Sequence, residues 1–393
     1  MVDATAVPRN RGGVGRYVDS IVSALVESGT VLTVVCQTHD LAEYKRRGIN
    51  AVAAPKRIES ILQRFLWEQF ALPRLARKLK VDVVHSPHYT FPIFMRTRRV
   101  VTLHDMTFFS HPKAHTVLKR RFFSLWIYIA KWMKVVAITP SQATADEFIR
   151  VVGGDKNRVV VSHLGFNADQ FHPPTAADIE RFQVQNQLPS GWIAFLGTLE
   201  PRKNTAALIG GYVHALANVP VSERPALLLA GGEGWDTAVN PAIARARTAG
   251  FEVRKLGYVP LDELPSFLGG ATIVAYPSLG EGFGLPVLEA MATGACVVTT
   301  EKLAIPEIGG DAVAYTGTSA IAIGAALISL LNDAPRRKRL GAAGIVRAAS
   351  FTWRLSAGRH REAYLLAADE TAQLRLSSTV ETAIDSGPHS AVA

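Results

Sequence analysis

The stretch Pro277-Ser278-Leu279-Gly280-Glu281-Gly282-Phe283-Gly284-Leu285-Pro286-Val287-Leu288-Glu289-Ala290-Met291-Ala292-Thr293-Gly294 decides the fold. Ile273 to Tyr276, just before it, reads as a buried strand, the glycines as a tight turn, and Pro286 as part of a helix's first turn, where its missing donor costs nothing. A strand running through a glycine loop into a helix gathers unpaired N–H groups and the helix's positive end at one point. Such a point attracts phosphate or developing oxyanion charge. Glycine at 282 and 284 is expected to let the backbone approach a ligand. With a helix starting near Leu285, Glu281 lies on the loop and Glu289 one turn inside, so both can face one crevice. An ordinary strand-to-helix turn with a solvated glutamate explains any one of these positions, but not all of them together.

Upstream, a strand from Ile193 to Leu196 ends in Gly197-Thr198-Leu199-Glu200-Pro201-Arg202-Lys203-Asn204, before another helix. Cations are disfavoured at the positive end of a helix unless an anion is bound, so Arg202 and Lys203 read as anion ligands. Charge-assisted contacts of this kind are worth roughly 1.5–3 kcal/mol each. Further strands are expected at Ala226–Ala230, Val253–Leu256 and Cys296–Thr299. The first leads to Gly231-Gly232-Glu233-Gly234-Trp235 and the second to Gly257-Tyr258-Val259-Pro260. Short helical runs cover Leu261–Leu268 and Ile321–Leu331, another starts near Arg336, and Phe351-Thr352-Trp353 opens a last helix to Ala368. From Thr371 onward the chain is Ser/Thr-rich and aperiodic, and a disordered tail is expected.

The N-terminal half repeats the alternation. Met1 to Ala6 reads as the tail of a strand; either this strand is short or the true start lies upstream. Pro8-Arg9-Asn10-Arg11-Gly12-Gly13-Val14-Gly15-Arg16-Tyr17 then opens a helix from Tyr17 to Glu27. This second glycine loop, with Gly13 and Gly15, lacks the spacing of a dinucleotide fingerprint. Strands at Val31–Cys36, Val81–His85, Val100–Leu103 and Val135–Ile138, with a basic helical region from Ser60 to Lys80, predict a parallel doubly wound sheet. Ligands of such sheets sit at the carboxyl ends of the strands, where His85, His88 and His104 fall. A hydrogen-bonded structural role suffices for His85 and His88. Ser141 is placed to cap a helix, and Phe171-His172-Pro173-Pro174-Thr175 reads as a linker.

The pattern Glu281-Gly282-Phe283-Gly284-Leu285-Pro286, with the second glutamate at Glu289, resembles the glutamate-x7-glutamate signature of the retaining family 4 glycosyltransferases. The resemblance covers nearly the whole chain except the tail and is most specific at 197–204 and 276–307. It implies an α/β protein of GT-B fold, two Rossmann-like doubly wound domains facing a central cleft. Residues 1–175 would bind the acceptor and 176–352 the nucleotide sugar, with a helix at 353–370 crossing back onto the first domain and a tail at 371–393. In this family the lysine matching Lys203 grips the donor diphosphate. Arg202 would supply a second charge, because Thr198 stands where many relatives have arginine. Gly282, Phe283, Gly284 and Leu285 would hold the same phosphates, and Gly197, Tyr258 and Val259 would lie around the nucleotide. Glu281 would contact the donor sugar and steady its oxocarbenium-like centre, while Glu289 would bind the ribose. Gly13 and Gly15 would face the donor phosphates and the acceptor, and His104 the donor sugar and acceptor.

The implied reaction is hexose transfer with retention from a nucleoside-diphosphate sugar to a hydroxyl, with no metal or other cofactor and no covalent carboxylate nucleophile. The motif style looks most like mannosyltransferases and rhamnosyltransferases of polysaccharide and O-antigen assembly. GDP-mannose is the favoured donor, and a glycan or lipid-linked hydroxyl the acceptor. Two rivals remain. A nucleotide-sugar epimerase of the same fold would need acid and base groups across the cleft. A silent binding module would be expected to lack some of Glu281, Lys203 and His104, and all three are present.

Length and composition suit a foldable globular protein of two α/β-sized domains: 393 residues, 48% hydrophobic and 19% charged. Cys36 and Cys296 lie far apart in apolar contexts, which predicts reduced core thiols, and no Cys/His cluster for a metal is apparent. No signal peptide is expected, and the apolar run Phe122 to Thr139 is broken by Lys131 and Lys134, so the expected location is cytoplasmic. The net charge of +10 is unevenly spread. Residues 1–172 hold 25 Lys and Arg against 13 Asp and Glu, net +12, whereas 173–393 hold 18 against 20, net −2. An anionic partner for the first half, phospholipid headgroups, a lipid-phosphate acceptor or nucleic acid, is one explanation, and a soluble basic surface with no partner is the other; among partners a membrane surface is preferred and nucleic acid is not expected. Lys119-Arg120-Arg121 followed by Phe122, Phe123, Trp126, Tyr128 and Trp132 would suit a membrane interface, though a helix packed with its aromatics in the core explains the stretch equally well.

Overall fold

The computed structural model describes residues 1–9, 11–112, 115–188 and 191–385. Seven strands, β1 (Val2–Asp3), β2 (Val34–Cys36), β3 (Ala51–Ala53), β4 (Val83–Ser86), β5 (Arg98–Thr102), β6 (Val136–Thr139) and β7 (Val159–Val161), form the first sheet. Six more, β8 (Trp192–Leu196), β9 (Ala226–Ala230), β10 (Val253–Gly257), β11 (Ile273–Tyr276), β12 (Val297–Thr300) and β13 (Ala314–Thr316), form the second. All pairings are parallel, in the orders β3-β2-β1-β4-β5-β6-β7 and β10-β9-β8-β11-β12-β13. Parallel strands covered on both faces are apolar throughout rather than alternating, as in Ala226-Leu227-Leu228-Leu229-Ala230, buried at every position.

Strand order reverses between β1 and β4 in the first sheet and between β8 and β11 in the second. At such a switch point the two outgoing loops diverge and leave a crevice. The chain leaving β8 carries Arg202 and Lys203, and the chain leaving β11 carries Glu281, so the topology sets segments nearly 80 residues apart side by side.

The helix after β11 spans Leu285–Ala292 with Pro286 in its first turn. Gly284 caps it at φ 106°, a left-handed conformation that side chains with a Cβ resist. The first domain's leading helix spans Gly13–Glu27, starting four residues before the apolar periodicity does, because the glycines of its opening turn give no amphipathic signal. The helix Val117–Trp132 buries Trp126, Ile127 and Ala130, and packs Phe122 and Phe123 on the same cluster. Its Leu118, Leu125 and Trp132 are exposed. No helix among the described residues is long and apolar enough to cross a membrane. Cys36 and Cys296 are free and buried.

The last helix, Trp353–Asp385, lies on the first sheet, with Ala363 and Ala367 against Val100, Val136, Ile138 and Val160. A buried polar network fastens it: Tyr17 Oη meets Thr102 Oγ1 at 2.8 Å and His360 Nε2 at 2.7 Å, while His85 meets Thr102 and Tyr364. Helix continues well past Thr371, where disorder was expected. No glycine or proline interrupts 359–385, so the propensity of its Ala, Leu, Gln and Arg residues stands in for the missing periodicity. The rest of the expected tail, 386–393, lies outside the described residues.

Candidate active site

Arg202 and Lys203 occupy the single 3-10 turn Pro201–Lys203 that follows β8. Glu281 lies on the loop beyond β11 and joins them. Its Oε1 accepts from Lys203 Nζ at 2.7 Å, Ser278 Oγ at 2.6 Å and Tyr276 Oη at 3.0 Å, and its Oε2 from Arg202 Nη1 at 2.5 Å. Arg202 also donates to the Gly280 carbonyl at 2.6 Å and to Glu200 at 2.7 Å, and Lys203 bonds Tyr276 Oη. The anion that tolerates two cations at a helix start is therefore already present within the chain: Glu281 with Glu200. Burial alone would raise the Glu281 carboxyl, but Arg202 and then Lys203 outweigh it and hold the group down at about 2. Burial pushes the Lys203 ammonium down, against the pull of Glu281; the Arg202 guanidinium is raised by Glu281 and Glu200 despite its burial.

The loop that carries Glu281 also docks on the first domain. A Cβ at Gly282 would collide with the His104 carbonyl oxygen and come within 2.7 Å of Asp105 Cβ. The Gly282 carbonyl accepts from Ser141 Oγ at 2.7 Å and Thr144 Oγ1 at 3.2 Å. The close approach that this glycine permits in the structure is to the backbone of the opposing domain. Ser141 also caps its own helix, as its sequence position predicts, by accepting from Thr144 N. His104 is thereby held at the contact between the two sheets' loops. Its Nε2 lies 2.8 Å from the Pro87 carbonyl, which can only accept, so Nε2 carries the proton and Nδ1 is the acceptor. Burial lowers its pKa and keeps the ring neutral, although Pro87 and Asp105 oppose this.

Glu289 is buried as well, but its partner is Arg16, in the first turn of the helix Gly13–Glu27. Its Oε2 accepts no hydrogen bond among the described residues. Burial raises this carboxyl to about 7 in spite of Arg16. The two glutamates thus answer to different neighbours.

A Cβ at Gly13 would meet nothing within 4 Å, leaving its surface open, whereas one at Gly15 would press on the Arg11 side chain. The Gly197 amide donates to Ala230 O at 2.9 Å. Tyr258 is 69% exposed with its hydroxyl beside Gly232, and Val259 is half-buried; neither takes part in the ion-pair cluster. Phe283 and Leu285 are buried, Phe283 with its ring 6.3 Å from His163 and 6.1 Å from Phe351. Sequence reasoning missed Arg16, Glu200, Tyr276 and Ser278 as members of these clusters. It also missed Glu307, whose carboxylate accepts from Gln142 N at 2.9 Å and pairs with His163 of the first domain. Arg16 and Ser278 stood inside the glycine motifs themselves, the one signal that pointed to them.

Comparison with known proteins gives matches along both domains. The Glycosyltransferase Family 4 model matches residues 11–170, and the Glycosyl transferases group 1 model matches residues 177–347. The O-antigen chain mannosyltransferase B of Escherichia coli is 31% identical over 278 residues, 70% of this chain and 72% of that enzyme. The D-inositol 3-phosphate glycosyltransferase of Corynebacterium diphtheriae is 30% identical over 237 residues, 58% of this chain and 55% of the relative. Among solved structures, Anabaena HepE in complex with UDP-glucose superposes with a TM-score of 0.70 at 17% identity, covering 96% of this chain and 99% of that one. Sucrose-phosphate synthase from Thermosynechococcus elongatus gives 0.71 at 19% identity, covering 92% and 97%. Both share the two-domain GT-B architecture.

Proposed function

Because this chain belongs to the family 4 and group 1 glycosyltransferases, we propose that it transfers mannose from GDP-mannose, with retention, to a glycan or lipid-linked hydroxyl in cell-envelope polysaccharide or glycolipid synthesis. The observation that carries this reading is Glu281, kept ionised by Arg202 and Lys203 where β8 and β11 diverge. The mannose preference rests on the likeness to the O-antigen mannosyltransferase.

In this reading the donor diphosphate approaches Lys203, Arg202 and the start of the helix Leu285–Ala292. Charge building on the leaving phosphate then meets cations already fixed in a low-dielectric site, which need no reorganisation as the bond breaks. Glu281, ionised at any working pH, serves as a hydrogen-bond acceptor and a negative charge beside the sugar's oxocarbenium-like centre rather than as an acid. The bond from the anomeric carbon to the phosphate oxygen breaks, the bond to the acceptor oxygen forms on the same face, and the acceptor proton passes to the leaving phosphate. Neutral His104 offers its Nδ1 as an acceptor for a sugar or acceptor hydroxyl. Exposed Leu118, Leu125 and Trp132 beside Lys119, Arg120 and Arg121 support contact with an anionic membrane bearing a lipid-linked acceptor. Failure to co-sediment with anionic liposomes would remove that contact.

The donor assignment is tested by ligand-induced stabilisation with GDP, UDP, ADP and TDP and their sugars, on wild type and Lys203→Ala. GDP-mannose is expected to stabilise by about 2.7 kcal/mol at a hundredfold excess over its Kd, and the variant to lose this against its own baseline. Stabilisation by the UDP series in place of GDP would overturn the donor.

A further inference from the structure

We propose that Asp3, Glu68 and His88 form a divalent-cation site in the first domain. Asp3 ends β1, and His88 is the second residue beyond β4. These strands are sheet neighbours, with Val2 opposite His85, so the switch point brings both residues to the same carboxyl edge. Glu68, on the helix Ile61–Phe70, is steered to them by Thr90 Oγ1, which donates to its Oε2 at 3.0 Å. One ligand atom from each of the three lies within 4.8 Å of the others, and His88 Nε2 is 3.8 Å from Glu68 Oε2.

The Asp3 and Glu68 residues are fully buried. Asp3 Oδ1 accepts from Thr5 N at 3.0 Å and Thr5 Oγ1 at 2.6 Å, but Asp3 Oδ2 and Glu68 Oε1 accept no hydrogen bond among the described residues. Among the described residues a cation, Arg64, pairs with the cluster, its Nη1 lying 3.5 Å from both Glu68 Oε2 and His88 Nε2. One arginine at that distance leaves two close, buried carboxylates with excess negative charge and unused lone pairs, an arrangement that burial penalises heavily. A divalent cation removes both deficits. Two carboxylates with one imidazole are a mixed O/N set that suits Mn2+ or Zn2+ better than Ca2+, and three protein ligands leave positions for water or a substrate oxygen. The site lies at the carboxyl edge of the first sheet, where β1 and β4 part, and is independent of the donor assignment. Its residues are 20 and 65 positions apart, so the sequence shows no metal spacing.

The test uses the full chain, treated with chelator and without nucleotide, titrated with MnCl2 and followed by electron paramagnetic resonance, with ZnCl2 as competitor. One Mn2+ per chain is expected, with imidazole nitrogen coupling in its spectrum. Asp3→Asn, Glu68→Gln and His88→Leu should each weaken binding by more than the roughly 10–100-fold typical of outer-shell changes, and His88→Leu should abolish the nitrogen coupling. The proposal is overturned if wild type binds neither ion at millimolar concentration, if the variants bind as wild type does, or if the wild-type spectrum lacks nitrogen coupling. Should the variants fail to fold, the nitrogen coupling of wild type alone decides.

Discussion

Glu281 and Glu289 belong to one strand-loop-helix unit, eight positions apart and both buried, yet one carboxyl is held at about 2 and the other lifted to about 7. Burial penalises both charges; the number and source of their partners separates them. Glu281 meets two cations and hydroxyls of Ser278 and Tyr276, all from its own domain. Glu289 meets one arginine, contributed by the other domain, and leaves one oxygen without a donor. The charge on Glu281 is thus built into the second domain, whereas that on Glu289 depends on how the first domain sits against it. A buried acid's identity says little about its charge until its donors are counted.

The sharpest way to break this contrast is Glu281→Gln, which leaves Lys203 and Arg202 buried without their shared carboxylate. A loss of about 3–5 kcal/mol is expected in denaturant unfolding at pH 7. The folded carboxyl lies below its unfolded value of 4.5, so its contribution is complete above pH 4.5 and disappears as pH falls towards 2. Wild type and variant should converge across that window, and parallel curves would sink the assignment. Next in size is Glu289→Gln, with the opposite sign. Here the folded value lies above 4.5, so the native chain keeps a proton that the unfolded chain has lost. That contribution is complete below pH 4.5 and is lost as pH rises through 7. Wild type should therefore lose stability relative to the variant over that range, on the order of 2–3 kcal/mol; a constant difference would show Glu289 to be ionised throughout. The smallest effect belongs to Glu307→Gln, which weakens a carboxylate at the start of the helix Gln142–Glu147 across the domain contact. A cost of about 1 kcal/mol is expected, with both earlier pH profiles unchanged. A larger cost accompanied by loss of the Glu289 profile would tie that profile to domain contact.

Local structure was legible where local chemistry decides it. The strand Ile273–Tyr276 and the helix Leu285–Ala292 lie where the apolar run, the glycines and Pro286 place them, and Ser141 caps its helix as its type and position require. Arg202, Lys203 and Glu281 were each legible as candidates for one crevice because each lies just past a strand end, and doubly wound sheets collect those ends; that the two cations pair with Glu281 itself was visible only in the structure. Legibility failed in two ways. The helix beyond Thr371 has propensity without amphipathic periodicity, so a pattern search misses it. Gly282 was visible as a place of close approach, but its neighbour, the His104 carbonyl, lies 178 positions earlier.

By itself, then, the sequence determined the alternation of strands and helices, the two glycine loops and the chemical types gathered at each strand end, since backbone preference and hydrophobic period act over a few residues. Only the tertiary structure decided that Arg16 pairs with Glu289, that Glu307 caps a helix of the opposing domain, and that Asp3 meets Glu68 and His88. Those pairings follow from strand order and domain contact, which set the distance and burial between residues far apart in the chain; Coulomb energy and desolvation respond to those two quantities and not to sequence separation.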